Sequence, residues 1–111
     1  MLNQGQGLDA AFKALADPTR RAILDRLSRG PESVSALAEP FDITLPGVHQ
    51  HLGILEAAGL TISEKKGRVR VCRVNARGLA AVEDWILHRR LSWERRLDAL
   101  GAHLTKRSDK Q

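Results

Sequence analysis

The most constraining stretch of this chain is KKGRVRVCRV, residues 65–74. Val69, Val71 and Val74 alternate there with Arg68, Arg70 and Arg73, with a slip near Cys72. A period of two belongs to extended chain, whose successive side chains point to opposite faces. With LTISEK before it and Lys66–Gly67 between, the run predicts a two-stranded β-hairpin, valines on one side and arginines on the solvent side. Everything before and after has helical spacing, so this hairpin must be fitted to a mostly helical body.

Leu8, Ala11, Phe12 and Leu15 recur as one helical face and predict a first helix over 8–16. In ADPTRRAILDRLSRG, Asp17 is a good N-cap and Pro18 suits the first helical position. Gly30–Pro31 ends that segment, and Ala22, Ile23 and Leu27 form its buried stripe. Ser33 opens a short third helix, SVSALAEPF, with Val34, Leu37 and Ala38 inward and Pro40 closing it. Thr44 caps a fourth from Leu45 to Ala58, with Gly59 as its stop. After the hairpin, Asn75 caps a long last helix over 76–104. The expected class is therefore mainly α with a β-hairpin: a winged helix-turn-helix of helices 1–4, a two-stranded wing and a long C-terminal helix. Residues 8–75 form the DNA-binding domain in this reading, and 76–104 the dimerisation helix. Residues 1–7 and 105–111 read as flexible tails.

The chain has 111 residues, one domain by length. No run of about eighteen apolar residues occurs, so no membrane partner is expected. A single cysteine excludes an internal disulfide framework and fits a reducing compartment; with no signal-like N-terminus, the expected location is cytoplasmic. The net charge of +5 is unevenly spread. Residues 1–64 carry five basic and eight acidic side chains, whereas 65–111 carry thirteen basic and five acidic. A basic excess in one part of a small chain points either to a polyanion, most often nucleic acid, or to a solvated charged helix.

The fourth expected helix bears on the choice, as a DNA-reading helix or as an ordinary amphipathic core helix, which periodicity alone does not separate. At about 100° per residue, Leu45, Val48, Leu52 and Leu55 fall within roughly 60° of one direction. Pro46, Gln50, Gly53 and Ala57 lie opposite, flanked by Gly47 and His49. That outer face is small and uncharged, able to approach base edges closely. Gln50 can pair with adenine, and His49 can donate to guanine or to a phosphate. Thr44 and the free N–H groups of the first turn suit a phosphate oxygen. On the wing, Lys65, Lys66, Arg68 and Arg70 are placed for phosphates or the minor groove, unless they merely protect an edge strand. Thr44, Pro46, Gly47, His49, Gln50, His51, Lys65, Lys66, Arg68 and Arg70 are thus the expected DNA-binding residues. His51 lies on the core border, and Arg20 either reaches a phosphate or pairs with Asp17 or Glu56.

Other chemistries fit less well. His49 and His51 are about 200° apart on a helix and cannot hold one ion together. Asp84 and His88 face alike and could meet His103 of a partner, but the spacing matches a metal site poorly and a solvated helical face explains them better. No metal or other cofactor is expected. Cys72 is either a thiol switch favoured by Arg70 or Arg73, or a small buried apolar group. No nucleophile and base share a pocket frame and no glycine-rich phosphate loop occurs, so no catalytic residue and no enzyme activity are expected. The last helix spans about 43 Å, more than the winged body can cover. Leu79, Val82, Ile86, Trp93, Leu97 and Leu100, with Leu8, Phe12 and Leu15 of the first helix, are the expected interface of an isologous homodimer.

FKALADPTRRAILDRLSRG, SVSALAEPFDITLPGVHQHLGILEAAGL and KKGRVRVCRVN together resemble the ArsR/SmtB family of winged-helix repressors, over about residues 8–75. WILHRRLSWERRLDAL is similar to a branch of that family lacking metal ligands. The resemblance implies a homodimer on a palindromic double-stranded DNA operator, recognition helices in successive major grooves and hairpins as wings. This sequence departs from the family pattern at His49, where serine or threonine is common, and at Gly53, where lysine is common. It departs also at Gly47 and at Leu45, where a glutamine-like residue is usual. Fewer side-chain contacts shift binding energy onto the wing and DNA shape. The alternative from another class is an adaptor that docks a protein without reading DNA.

Overall fold

The computed structural model describes residues 4–109. Helices α1 (Gln4–Leu15) and α2 (Pro18–Leu27) are followed by a two-residue strand β1 (Glu32–Ser33) and a short helix α3 (Val34–Ala38). A 3-10 turn, Glu39–Phe41, leads into α4 (Leu45–Ala57). Strands β2 (Thr61–Lys66) and β3 (Val69–Val74) precede α5 (Ala76–Asp109). Two compact units result, one up to Ala81 and one from Val82 onward. Helix α1 begins four residues before the expected Leu8, and α5 runs five beyond the expected Leu104. Both ends read as polar tails because nothing apolar marks them.

Side-chain caps set most helix starts. Asp17 accepts the Arg20 N–H at 2.9 Å, Ser33 the Ala36 N–H at 3.2 Å and Thr44 the Gly47 N–H at 3.2 Å. Each satisfies one of the amides a first turn leaves unpaired. Helix α4 ends with Gly59 at φ 78°, the left-handed conformation that glycine adopts without penalty. Gly59 N–H donates to the Glu56 carbonyl and Leu60 N–H to that of Leu55, both at 2.9 Å, the double bond of a Schellman stop. Asn75 stands where expected, with its carbonyl accepting the Leu79 N–H. Its side-chain amide, however, donates to the Gly59 carbonyl at 2.9 Å. The start of α5 is thereby tied to the end of α4.

Strands β2 and β3 form the expected two-stranded wing, and β1 pairs antiparallel with β3 at its base, which places β3 in the middle of a three-stranded sheet. Two residues are too short a run to show any period, so β1 leaves no pattern in the sequence. One expectation is corrected: the valines do not form the inner side. Cys72 is fully buried, whereas Val69 is about half exposed. The ladder sets Cys72 opposite Ser63 and Glu32 at the base of the wing, where the body covers it. Val69 pairs with Lys66 at the tip, beyond reach of the core. Alternation and distance from the body act together: Val69 lies at the tip and on the face opposite Cys72, and Arg73, beside Cys72 but on the other face, is exposed.

The core of the first unit gathers Ala11, Ala14, Ile23, Leu24, Leu27, Val34, Leu37, Val48, Leu52, Leu55, Leu60 and Cys72. Helix α1 packs on α2 and α4 through its alanines, with Leu8 and Leu15 only half buried. Arg26 of α2 clasps Glu32 of β1 through two nitrogens, at 2.5 and 2.8 Å. That fork fits a carboxylate geometrically and ties the sheet edge to α2. In the second unit, α5 carries Arg89 over the Trp85 ring, 5.2 Å from its centroid. No helix among the described residues is long and apolar enough to cross a membrane.

Candidate nucleic-acid interface

Helix α4 presents two different faces. Val48, Leu52 and Leu55 are buried, holding the helix on the body. Pro46, His49, Gln50, Gly53 and Ala57 are exposed, and none of them carries a fixed charge. Gly47 is half buried. Thr44 is exposed; its oxygen is occupied as an acceptor by Gly47, which leaves its hydroxyl proton free to donate.

Two residues of this segment stand at its border with the body. His51 turns inward: its Nδ1 is buried with no hydrogen-bond partner among the described residues, 3.9 Å from Asp17 Oδ2. It lies where α4 packs against the start of α2, on the core border that the helical spacing gives it. The Asp17 carboxyl is held below its ordinary value chiefly by the Arg20 N–H it accepts, opposed by partial burial. Leu45, expected on the buried stripe, is 45% exposed. It precedes the first full turn of the stripe, so no earlier turn of its own helix stacks over it. Sequence periodicity carries no signal for that.

The wing holds the charge. Lys66 and Val69 close a two-residue turn of Gly67 and Arg68, with Gly67 at φ 66°. Positive φ at the first turn residue matches the strand twist and requires glycine or a close substitute. Arg68 stands at the apex. Directly below, Lys65 faces Arg70 across the two strands. Like charges opposite each other on a ladder are destabilising, by about 0.2–1 kcal/mol. Lys65, Lys66, Arg68 and Arg70 are all exposed, and among the described residues no carboxylate pairs with any of them. Arg73, one step toward the body, is by contrast paired with Glu64 at 3.2 Å.

Two further arginines have unexpected roles. Arg20 Nε donates to the Ala14 carbonyl at 2.7 Å and its terminal nitrogen to that of Lys13 at 3.0 Å. Arg21 donates to the Leu15 carbonyl at 2.7 Å. Both close the C-terminal end of α1, where cations meet the unpaired carbonyls. Arg20 thus takes neither expected partner through its side chain. Cys72 is no exposed thiolate either, since burial pushes its thiol above the ordinary value, partly offset by Ser63. Ser63 Oγ lies 3.2 Å from its sulfur and also donates to Glu56. His88 Nδ1 lies 2.8 Å from the Asp84 carbonyl on an exposed face of α5, and His103 is exposed further along.

Of the expected dimer residues, Leu8, Leu15 and Leu79 are half buried. Phe12, Ile86, Trp93, Leu97 and Leu100 are exposed, Leu97 by 67%. Val82 is corrected: it is buried within the chain and offers nothing to a second copy. Leu87, Leu91 and Leu104 add exposed apolar surface.

The helix-turn-helix domain family model matches residues 15–64, the span from the end of α1 into β2. The transcriptional repressor SdpR of Bacillus subtilis is 36% identical over 81 residues, covering 73% of this chain and 90% of that protein. The crystal structure of an ArsR family transcriptional regulator is 49% identical with a TM-score of 0.74, over 79% of this chain and 97% of that one. The homodimeric winged helix-turn-helix DNA-binding domain Mb0332 from Mycobacterium bovis, described as a possible ArsR-family regulator, is 25% identical with a TM-score of 0.63. That likeness covers 80% of this chain and 81% of the other. With a capped, two-faced helix and a basic wing in one compact unit, and with relatives matched over most of their own length, the chain belongs to the ArsR family of winged helix-turn-helix transcriptional regulators.

Proposed function

We propose that this protein is a homodimeric repressor in the cytoplasm that binds an inverted-repeat site on double-stranded DNA. The observation that carries the reading is the wing: Lys65 opposite Arg70, with Lys66 and Arg68 beside them and no carboxylate to neutralise any of the four among the described residues. Phosphates would relieve that repulsion and release counterions from DNA. The uncharged outer face of α4 supports base reading, with Gln50 toward an adenine and His49 toward a guanine or a phosphate. Thr44, Pro46 and Gly47 bring the helix start close to the DNA backbone.

Dimerisation is supported by the exposed Ile86, Trp93, Leu97 and Leu100 of α5 and by Phe12 of α1. Large apolar surface on one helix is stabilised by burial against a second copy. Two-fold symmetry then requires two half-sites of opposite orientation. The names of the relatives, a repressor and a homodimeric DNA-binding domain, support the same reading.

The test is a footprint of the purified protein on the DNA upstream of its own gene, followed by affinity measured against salt. Protection of two symmetric half-sites is expected, with log K falling by about 0.9 per phosphate neutralised for each unit of log salt. Affinity unmoved by salt, or no protected site, would sink the DNA reading and favour the adaptor.

A further inference from the structure

Leu45, the first residue of α4, is left 45% exposed although its spacing belongs with the buried Val48, Leu52 and Leu55. Around it the start of the helix is entirely without charge. Pro46 follows and is exposed, Gly47 carries no side chain, and His49 lies one turn on. The Thr44 oxygen is engaged by the Gly47 N–H. The side chain of a leucine in this place has nothing to offer a phosphate and no hydrogen bond for a base.

We infer that Leu45 is a specificity-determining residue that packs on the C5-methyl of a thymine in each half-site. The inference rests on the reading of α4 as the DNA-facing helix. N-terminal residues of a recognition helix are the ones that meet base edges. In the major groove the thymine methyl is the only apolar group that a base presents. Guanine, adenine and cytosine present N7, O6 or amino groups instead. Leucine would desolvate those groups without bonding them, which is unfavourable. Discrimination therefore acts twice, by burying a methyl against leucine and by penalising every other base. Gly47 and Pro46 allow the approach, because neither holds the backbone away with a long side chain.

The test begins with a duplex selected by the full-length protein from a random-sequence pool. Each symmetric pair of thymines is then replaced by deoxyuridine, which lacks only the methyl. At one pair, wild-type affinity is expected to fall about fourfold for each methyl removed, the effect of unburying one methylene-sized group. Leu45→Ala should bind thymine and deoxyuridine duplexes alike at that pair while keeping its penalties elsewhere, and Leu45→Met should retain the difference. Indifference of the wild type to deoxyuridine everywhere, or a penalty that survives in Leu45→Ala, overturns the role of Leu45 while leaving DNA binding intact. Failure to enrich any sequence overturns the underlying reading as well.

Discussion

Gly78, in the first turn of α5, lies against the backbone carbonyl of Gly59, and a β-carbon at Gly78 would overlap that oxygen. The same carbonyl accepts the Asn75 side-chain amide. The close approach seats the first turn of α5 against the stop of α4. Backbone is the obstacle, so no flexible side chain can yield. Gly78→Ala should destabilise the protein by about 1–3 kcal/mol or more, as overpacking does. Gly101→Ala on the same helix meets nothing and should stabilise by about 0.5–1 kcal/mol. Thermal unfolding of the two variants is expected to show shifts of opposite sign.

Arg20→Ala removes two hydrogen bonds to the last carbonyls of α1. A loss of about 1–3 kcal/mol is expected, because bonds to charged donors exceed neutral ones. Hydrogen exchange should show the loosening concentrated in α1 and not in α4. Uniform loosening would contradict the capping role.

The Arg26–Glu32 clasp predicts a pH dependence. The Arg26 guanidinium holds the Glu32 carboxyl below its ordinary value of 4.5, against opposing burial. A depressed carboxyl contributes stability that is full above its unfolded value and is lost as pH falls through the folded one. Glu32→Gln should therefore lower the unfolding midpoint at neutral pH, and its deficit should begin to shrink as pH falls below 4.5 and vanish only below the depressed folded value. A deficit that stays constant with pH would assign the effect to shape and not to charge.

Cys72 is enclosed by the sheet, and burial raises its thiol. A thiol-specific reagent at neutral pH should leave it unmodified in the native protein and react fully once denaturant is added. Rapid native labelling would restore the thiol-switch alternative.

At the proposed interface, Arg68→Ala should weaken binding to all sequences and reduce the salt slope by about 0.9 per protomer. Gln50→Ala should relax preference at one base pair of each half-site, by about 1–3 kcal/mol, with the salt slope unchanged. Competition with scrambled duplexes at two salt concentrations separates these outcomes.

Much of this protein was legible in its sequence, because the signals concerned are local. Asp17, Ser33 and Thr44 announce helix starts through bonds within three residues, and Gly59 and Gly67 announce turns through backbone freedom. The buried stripe of Val48, Leu52 and Leu55 follows from period alone, as does the exposure of Gln50. What only the tertiary structure decided depends on neighbours distant in sequence. Val69 and Cys72 lie on opposite faces of β3, and only at the base of the wing, opposite β1, does the body cover one of those faces. His51 turns toward Asp17, Arg20 reaches back to α1, and Leu45 stays uncovered for the same kind of reason. Alternation tells which side chains share a face, but burial requires something to lie over that face.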